Sequence, residues 1–172
     1  MNEEAQAPVA VQSPPTLATA APDTANPLYG VHGWLKFWVV MNLYVGPIIF
    51  ALRQILAWIG YTILADEHPG IMLVGLIDTA VSGFLVVRGI QIAIGLRDIK
   101  PRAVQNAKAL LQLCLGWTFV GIPINFLSGL DAEQLLPGIL KGVLTSVISF
   151  AIWYSYLNVS KRVQATYPDW KE

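Results

Sequence analysis

The sequence predicts an all-α, polytopic membrane protein, with four transmembrane helices in an up-down bundle behind a disordered N-terminal tail. Three observations lead there. Of 172 residues, 55% are hydrophobic and 13% charged, and the mean hydropathy is +0.54, a balance that fits lipid as the solvent. Four apolar stretches each come near or exceed the roughly 20 residues a helix needs to cross the hydrocarbon core. Lysines and arginines crowd into alternate connections, as they do when loops alternate between membrane sides. The apolar runs are continuous rather than alternating, and lipid offers no partner to unpaired backbone groups, so helices are the expected solution.

Taken in order, residues 1–26 are rich in Ala, Pro, Ser and Thr, lack any aromatic residue and show no periodicity. They read as a disordered tail, with residues 1–28 set apart from a transmembrane domain over 29–160 and a cytoplasmic C-terminal tail over 161–172. Glu3 and Glu4 stand where a signal peptide carries cations, and no apolar h-region follows, which argues against secretion. The spans are expected at 34–58, 71–96, 109–127 and 138–159, separated by "DEHPG", "RDIKPR" and "SGLDAEQLLPG". The first run overshoots one crossing. Its continuation from Gln54, "QILAWIGYTILA", is expected to lie along the outer interface with Trp58 and Tyr61 at headgroup level, a tilted helix being the alternative.

Orientation follows from the cations near the helix ends. Arg97, Lys100, Arg102 and Lys108 lie between spans two and three, and Lys161, Arg162 and Lys171 follow span four. The other two connections carry Asp66, Glu67, Asp131 and Glu133 and neither Lys nor Arg. Both termini and the central loop are therefore expected in the cytoplasm. Tyr29, Trp34 and Trp38 at one end, and Tyr154, Tyr156, Tyr167 and Trp170 at the other, form the aromatic belts of that face. Segments 45–52 ("VGPIIFAL") and 120–127 ("VGIPINFL") share a faint pattern that is either chance or a parallel repeat of two hairpins. Pro47 and Pro123 should kink their helices, since each removes a donor and crowds the preceding turn.

Zero formal net charge and a pI near 6.7 leave no basic footprint for nucleic acid. Cys114 is alone, so it forms no intramolecular disulfide or CxxC motif and reads as a small buried hydrophobe. His32 and His68 fall on opposite sides of the expected membrane and cannot share a metal. Asp66, Glu67 and His68 are consecutive in an exposed loop, where such residues are usually solvated. HExxH, GxSxG, P-loop and GxGxxG motifs are all absent from the sequence. No catalytic residue, metal or cofactor is therefore assigned, and the chain is not read as an enzyme.

Ionisable groups inside membrane segments are the functional candidates. At about 1.5 Å of rise per residue, Arg53, Asp78 and Lys141 fall at one depth near the outer boundary, with Asn125 a little below. Asp78 between two cations, with Arg53 as its bidentate partner, would form an outer polar cluster. Gly75, Asp78, Ser82, Gly89 and Ala93 share roughly 60° of arc at 100° per residue, a small-residue stripe expected to face the other helices. Arg88 lies about 80° away from Asp78 on that wheel and roughly 15 Å deeper. One reading has it snorkel to cytoplasmic headgroups, against the default lean of helical side chains towards the N-terminus. The other puts it in an inner polar pocket with Gln91, Asn42, Gln112 and Tyr154, where a cation without a counter-charge invites an anion.

"YGVHGWLKF" (29–37), the pair Gly46-Pro47 and "SKRVQATYP" (160–168) together resemble the bacterial membrane family Domain of Unknown Function 2569. In that family a Gly-Gly-Trp-Leu lead-in precedes the first helix, and a Ser-Lys-Arg-Val tail followed by Thr-Phe or Thr-Tyr closes the fourth. Here the lead-in is His32-Gly33-Trp34-Leu35, a departure at one position. The resemblance implies a four-span bacterial inner-membrane protein and implies no activity, because none is established for that family. The functional expectation is a membrane interaction or accessory module whose partners are membrane lipids and a second copy or another membrane protein. The alternative is a small anion or lipid-headgroup transporter or binder using Arg88.

Overall fold

The computed structural model describes residues 25–170. The tail expected at the N-terminus lies outside them as far as residue 24, as does Lys171. The chain is all-α with four helices long and apolar enough to cross a membrane: Gly33–Leu64, Gly70–Arg97, Ala103–Phe126 and Ala132–Val159. The first is composite, with α1 (Gly33–Val40), a π-helical turn (Met41–Val45) and α2 (Gly46–Leu64). The rest are α3 (Gly70–Arg97), α4 (Ala103–Phe126), α5 (Ala132–Val159) and a short α6 (Lys161–Thr166).

Pro47 accounts for the π turn. It cannot donate to the preceding turn, and the Gly46 N–H reaches back five residues to the Met41 carbonyl, so the ladder widens before the proline rather than breaking at it. The segment after Gln54 does not fold away along an interface as expected. It continues α2 unbroken to Leu64 and packs along α3: Gln54 Nε2 and Trp58 Nε1 both donate to Thr79 Oγ1, at 2.6 and 3.1 Å, and Thr79 donates to the Gly75 carbonyl at 2.7 Å. Gly75 is bare because the Tyr61 ring lies over it; a Cβ there would stand 2.5 Å from that ring.

Two other boundaries differ from expectation. The third span starts at Ala103, which brings Lys108 into the helix, and the fourth starts at Ala132 with Pro137 inside it rather than in a loop. Glu133 in the first turn of α5 complements the helix dipole. Pro137, just beyond that turn, removes one backbone donor without ending the helix. Pro123 sits in the last turn of α4, which runs through it as α-helix to Phe126.

Each span packs on the next in sequence, α2 on α3, α3 on α4 and α4 on α5, as an up-and-down bundle requires. The spans turn apolar side chains outwards, with Ile63, Leu140 and Val159 all at least 70% exposed, as helices solvated by lipid do. The main buried cluster lies at one end, with Ile71 and Val74 near the start of α3 buried apart from it. Leu35, Trp38 and Val39 of α1 meet Ile92, Ala93 and Leu96 of α3, Ala103, Val104, Ala107 and Leu110 of α4, Leu157 of α5, Val163 of α6 and Tyr167. This is also the end where Arg97, Lys100, Arg102, Lys108, Lys161 and Arg162 gather, opposite the connections holding Asp66, Glu67 and Asp131.

The chain ends clasp one another here. Gly30 N–H donates to Thr166 Oγ1 at 3.0 Å, and Arg162 donates to the Leu28 carbonyl at 3.3 Å. Asp169 accepts from the Arg102 N–H at 2.5 Å, its carbonyl accepts from Gln105, and Lys108 donates to the Trp170 carbonyl at 3.0 Å. α3 ends in a Schellman turn, Lys100 N–H to Gly95 carbonyl and Ile99 N–H to Leu96 carbonyl. Ile99 takes the left-handed position usually left to glycine (φ 51°) and packs against the core. Trp153 of α5 meets Trp34, Phe37 and Trp38 of α1 at 6.1 to 6.4 Å between ring centroids, joining first and last spans.

The buried Tyr167 hydroxyl donates to the Leu96 carbonyl at 2.5 Å. Burial, with the negative charge of Asp169 nearby, pushes the phenol well above its usual range. A raised folded-state value means that the contribution is whole below the unfolded value of about 10 and fades as pH climbs above it. Tyr167→Phe should cost about 1 kcal/mol at neutral pH. Thermal unfolding in detergent from pH 8 to 11 should show the gap between variant and wild type narrowing above pH 10; a pH-independent gap would refute the assignment.

Candidate functional site

At the opposite end the bundle is open. α2 and α5 do not pack closely on one another, and the space between the α2–α3 and α4–α5 pairs forms a cleft of about 880 Å³. Its walls come from every span: Arg53 and Tyr61 of α2, Val74, Asp78 and Ser82 of α3, Leu111, Cys114, Trp117, Thr118, Ile122 and Asn125 of α4, and Gln134, Lys141, Ser146 and Phe150 of α5. Along α5 it extends from Gln134 to Phe150, about 24 Å at helical rise.

The outer cluster forms in part. Arg53 Nη2 donates to Asp78 Oδ2 at 3.3 Å, a single contact rather than the expected bidentate pair, and Ser82 donates to Asp78 Oδ1 at the same distance. Lys141 lines the same cleft, but forms no ion pair with Asp78. Asn125 lines it too, while its amide is spent on the Gly121 carbonyl at 2.7 Å, one turn back in α4. Of the ionisable groups on the walls, Arg53 and Lys141 are cationic and Asp78 alone is anionic, so the lining carries one net positive charge.

Glycines play different parts on α3 and along the cleft. On α3, glycines admit neighbours: Gly70 meets the Leu127 carbonyl and Gly75 the Tyr61 ring. Gly121, Gly138 and Gly142 line the cleft, and a Cβ on any of them, as on Gly60 and Gly116 outside it, would meet nothing within 4 Å. Helix glycines forfeit about 1 kcal/mol each against alanine and in lipid normally repay it through close packing. These three leave room instead.

The five inner-layer residues do not converge. Arg88 and Gln91 are exposed on the outside of α3, joined by a 3.1 Å bond from Nη1 to Oε1. Gln91 is one turn closer to the basic end, so the guanidinium is bent back against its default lean, the posture that snorkelling requires. Gln112 is exposed, Asn42 donates to the Trp38 carbonyl in its own helix, and Tyr154 stacks on Phe150 at 4.9 Å. A smaller recess beside Asn42, Pro47 and Gly89 contains none of the other four. The small-residue stripe of α3 does face inwards, with Gly75, Gly89 and Ala93 buried and Asp78 and Ser82 on the cleft wall.

Sequence reasoning missed Gln54, Thr79, Thr118 and Ser146. The Thr118 hydroxyl lies 2.8 Å from that of Ser146 and 3.0 Å from the Cys114 carbonyl, linking α4 to α5 across the cleft floor. Neutral polar residues in apolar runs are the signal that could have found them, since lipid gives them reason to bond across helices. His32 precedes α1 and His68 follows α2, at opposite ends of the first span, and among the described residues no group of three or more His, Cys, Asp or Glu could hold a metal ion.

Fold and cleft together define an all-α protein with four helices long and apolar enough to cross a membrane, a class compatible with integral membrane proteins, closed at its basic end and open at its acidic end. No known family, curated protein or solved structure matches the chain.

Asp78→Ala removes the acceptor for both Arg53 and Ser82 and should cost about 1 kcal/mol, read as a lower melting temperature in detergent. Arg88→Leu breaks no contact between helices and should leave melting unchanged; the reverse pattern would move the structural polar centre from the cleft to Arg88.

Proposed function

We propose that this is a multi-pass protein of a bacterial inner membrane, with both termini cytoplasmic, that acts by binding: an interaction or accessory module holding a membrane amphiphile in the cleft. The observation that carries this reading is the cleft itself, which is large, lined by both charged and apolar side chains, and unsealed between α2 and α5. Pockets of roughly 300–1,000 Å³ with a few placed polar groups among apolar ones are characteristic of small-molecule sites. Because α2 and α5 are lipid-facing spans, the gap between them is a door for molecules already in the bilayer.

Orientation rests on the cations gathered at the clasped end, which the positive-inside tendency assigns to the cytoplasm. The cleft then belongs to the outer half of the membrane. Membership of the family Domain of Unknown Function 2569 is part of the same proposal, supported by the meeting of its two end motifs through the Gly30–Thr166 contact. An anion site at Arg88 is not favoured, because its guanidinium lies outside the cleft and bonds to Gln91.

Gly142→Leu tests the reading. A Cβ there meets nothing within 4 Å, so the leucine side chain beyond it should enter and fill the cleft, while the exchange improves helix propensity by about 1 kcal/mol. Native mass spectrometry of gently extracted protein should show a lipid-sized adduct on the wild type and its loss from the variant, with melting undiminished. An adduct unaffected by the substitution would exclude the cleft as its site.

A further inference from the structure

Resting on the cleft-binding reading, we infer that the occupant is an anionic amphiphile, its acid group held by Lys141 beside the Arg53–Asp78 pair and its tail running towards Phe150. The charge inventory selects the sign. Asp78 already has Arg53 and Ser82 as partners, whereas Lys141 has neither a hydrogen bond nor an ion pair among the described residues. On a membrane-spanning helix, at the outer edge of the hydrocarbon, an ammonium is stabilised by a counter-charge. A phosphate or carboxylate supplies one. A cationic group would meet a net positive lining.

The space around Lys141 is shaped for such a group. Gly138 and Gly142 stand one turn before it and one residue after it, with Gly121 across the cleft on α4, and all three leave the volume open. From Lys141 to Phe150 the cleft continues for nine residues along α5, about 14 Å, close to the depth of one leaflet of a roughly 30 Å hydrocarbon core. Access between α2 and α5 suits a molecule bearing a chain. A free anion would find its counter-charge at the headgroup surface without the apolar lower cleft.

The test is competitive retention in native mass spectrometry, with full-length protein in detergent and two probes sharing the same chains, dioleoylphosphatidylglycerol and dioleoylphosphatidylcholine. Glycerol phosphate serves as the chainless anion. The wild type should retain one phosphatidylglycerol about tenfold better than phosphatidylcholine and show no competition from glycerol phosphate. Lys141→Gln should bring the two lipids level, and Lys141→Arg should keep the preference. Replacing Lys161 and Arg162 by Gln should not alter it, which separates the cleft from the basic face. Equal retention of both lipids by wild type, or a preference that survives Lys141→Gln, overturns the charge assignment. If Gly142→Leu nevertheless expels both lipids, the cleft reading stands without it; if Gly142→Leu expels neither, the cleft reading fails as well. Competition by glycerol phosphate would make the ligand a soluble anion, and a lipid-free dimer would make the occupant a second copy; each overturns the proposal.

Discussion

The molecule is organised around the seam where the chain's end is sewn to its beginning. Tyr167 enters the core to reach the Leu96 carbonyl, and around it Thr166 binds Gly30, Asp169 binds Arg102, and Trp153 fills the angle between α5 and α1. Lipid gives helices no hydrophobic reason to associate, so association must come from packing and directional bonds. In this chain the bonds that tie its beginning to its end are gathered at one end of the bundle. The seam is what turns four sequential neighbours into a closed ring there.

Everything at the other end follows from the absence of a second seam. α2 is fastened to α3 by Gln54, Trp58, Tyr61 and the Arg53–Asp78 pair, and α4 to α5 by Thr118 and Ser146. The two pairs touch where Gly70 meets Leu127, and the α2–α5 side stays apart. A volume lined by three charged side chains is therefore held among the four apolar helices without α2 and α5 closing over it. The polar residues of the spans are divided accordingly, into those that fasten helices and those, such as Lys141, left facing the space between them.

The sequence revealed the architecture because lipid imposes a strict code: run length gives helices, and alternating loop charge gives their antiparallel order. It also brought Arg53 and Asp78 together through depth alone. It was less informative about rotation. Arg88, Gln91, Asn42, Gln112 and Tyr154 share a depth but face different ways, and in spans that are apolar all round the hydrophobic pattern hardly distinguishes inside from outside. The overshoot of the first span misled because run length does not separate a segment lying along the interface from a helix that simply continues. Treated as one regular helix, it places Gln54, Trp58 and Tyr61 about 100° round from Leu35, Trp38 and Val39, so the second set looks as if it faced elsewhere. The cleft itself was illegible, because an unpacked glycine and a close-packed one are the same letter.

The π turn at Met41–Val45 reconciles those two faces, since its extra residue advances the chain by about the angle that separates them. Both halves of the first span can then lie on α3. Mechanically this makes the first span a jointed post. Its foot is set in the seam, its upper length carries Arg53 and Tyr61 into the cleft, and the wide turn between them is where the α-helical ladder already departs from its regular spacing.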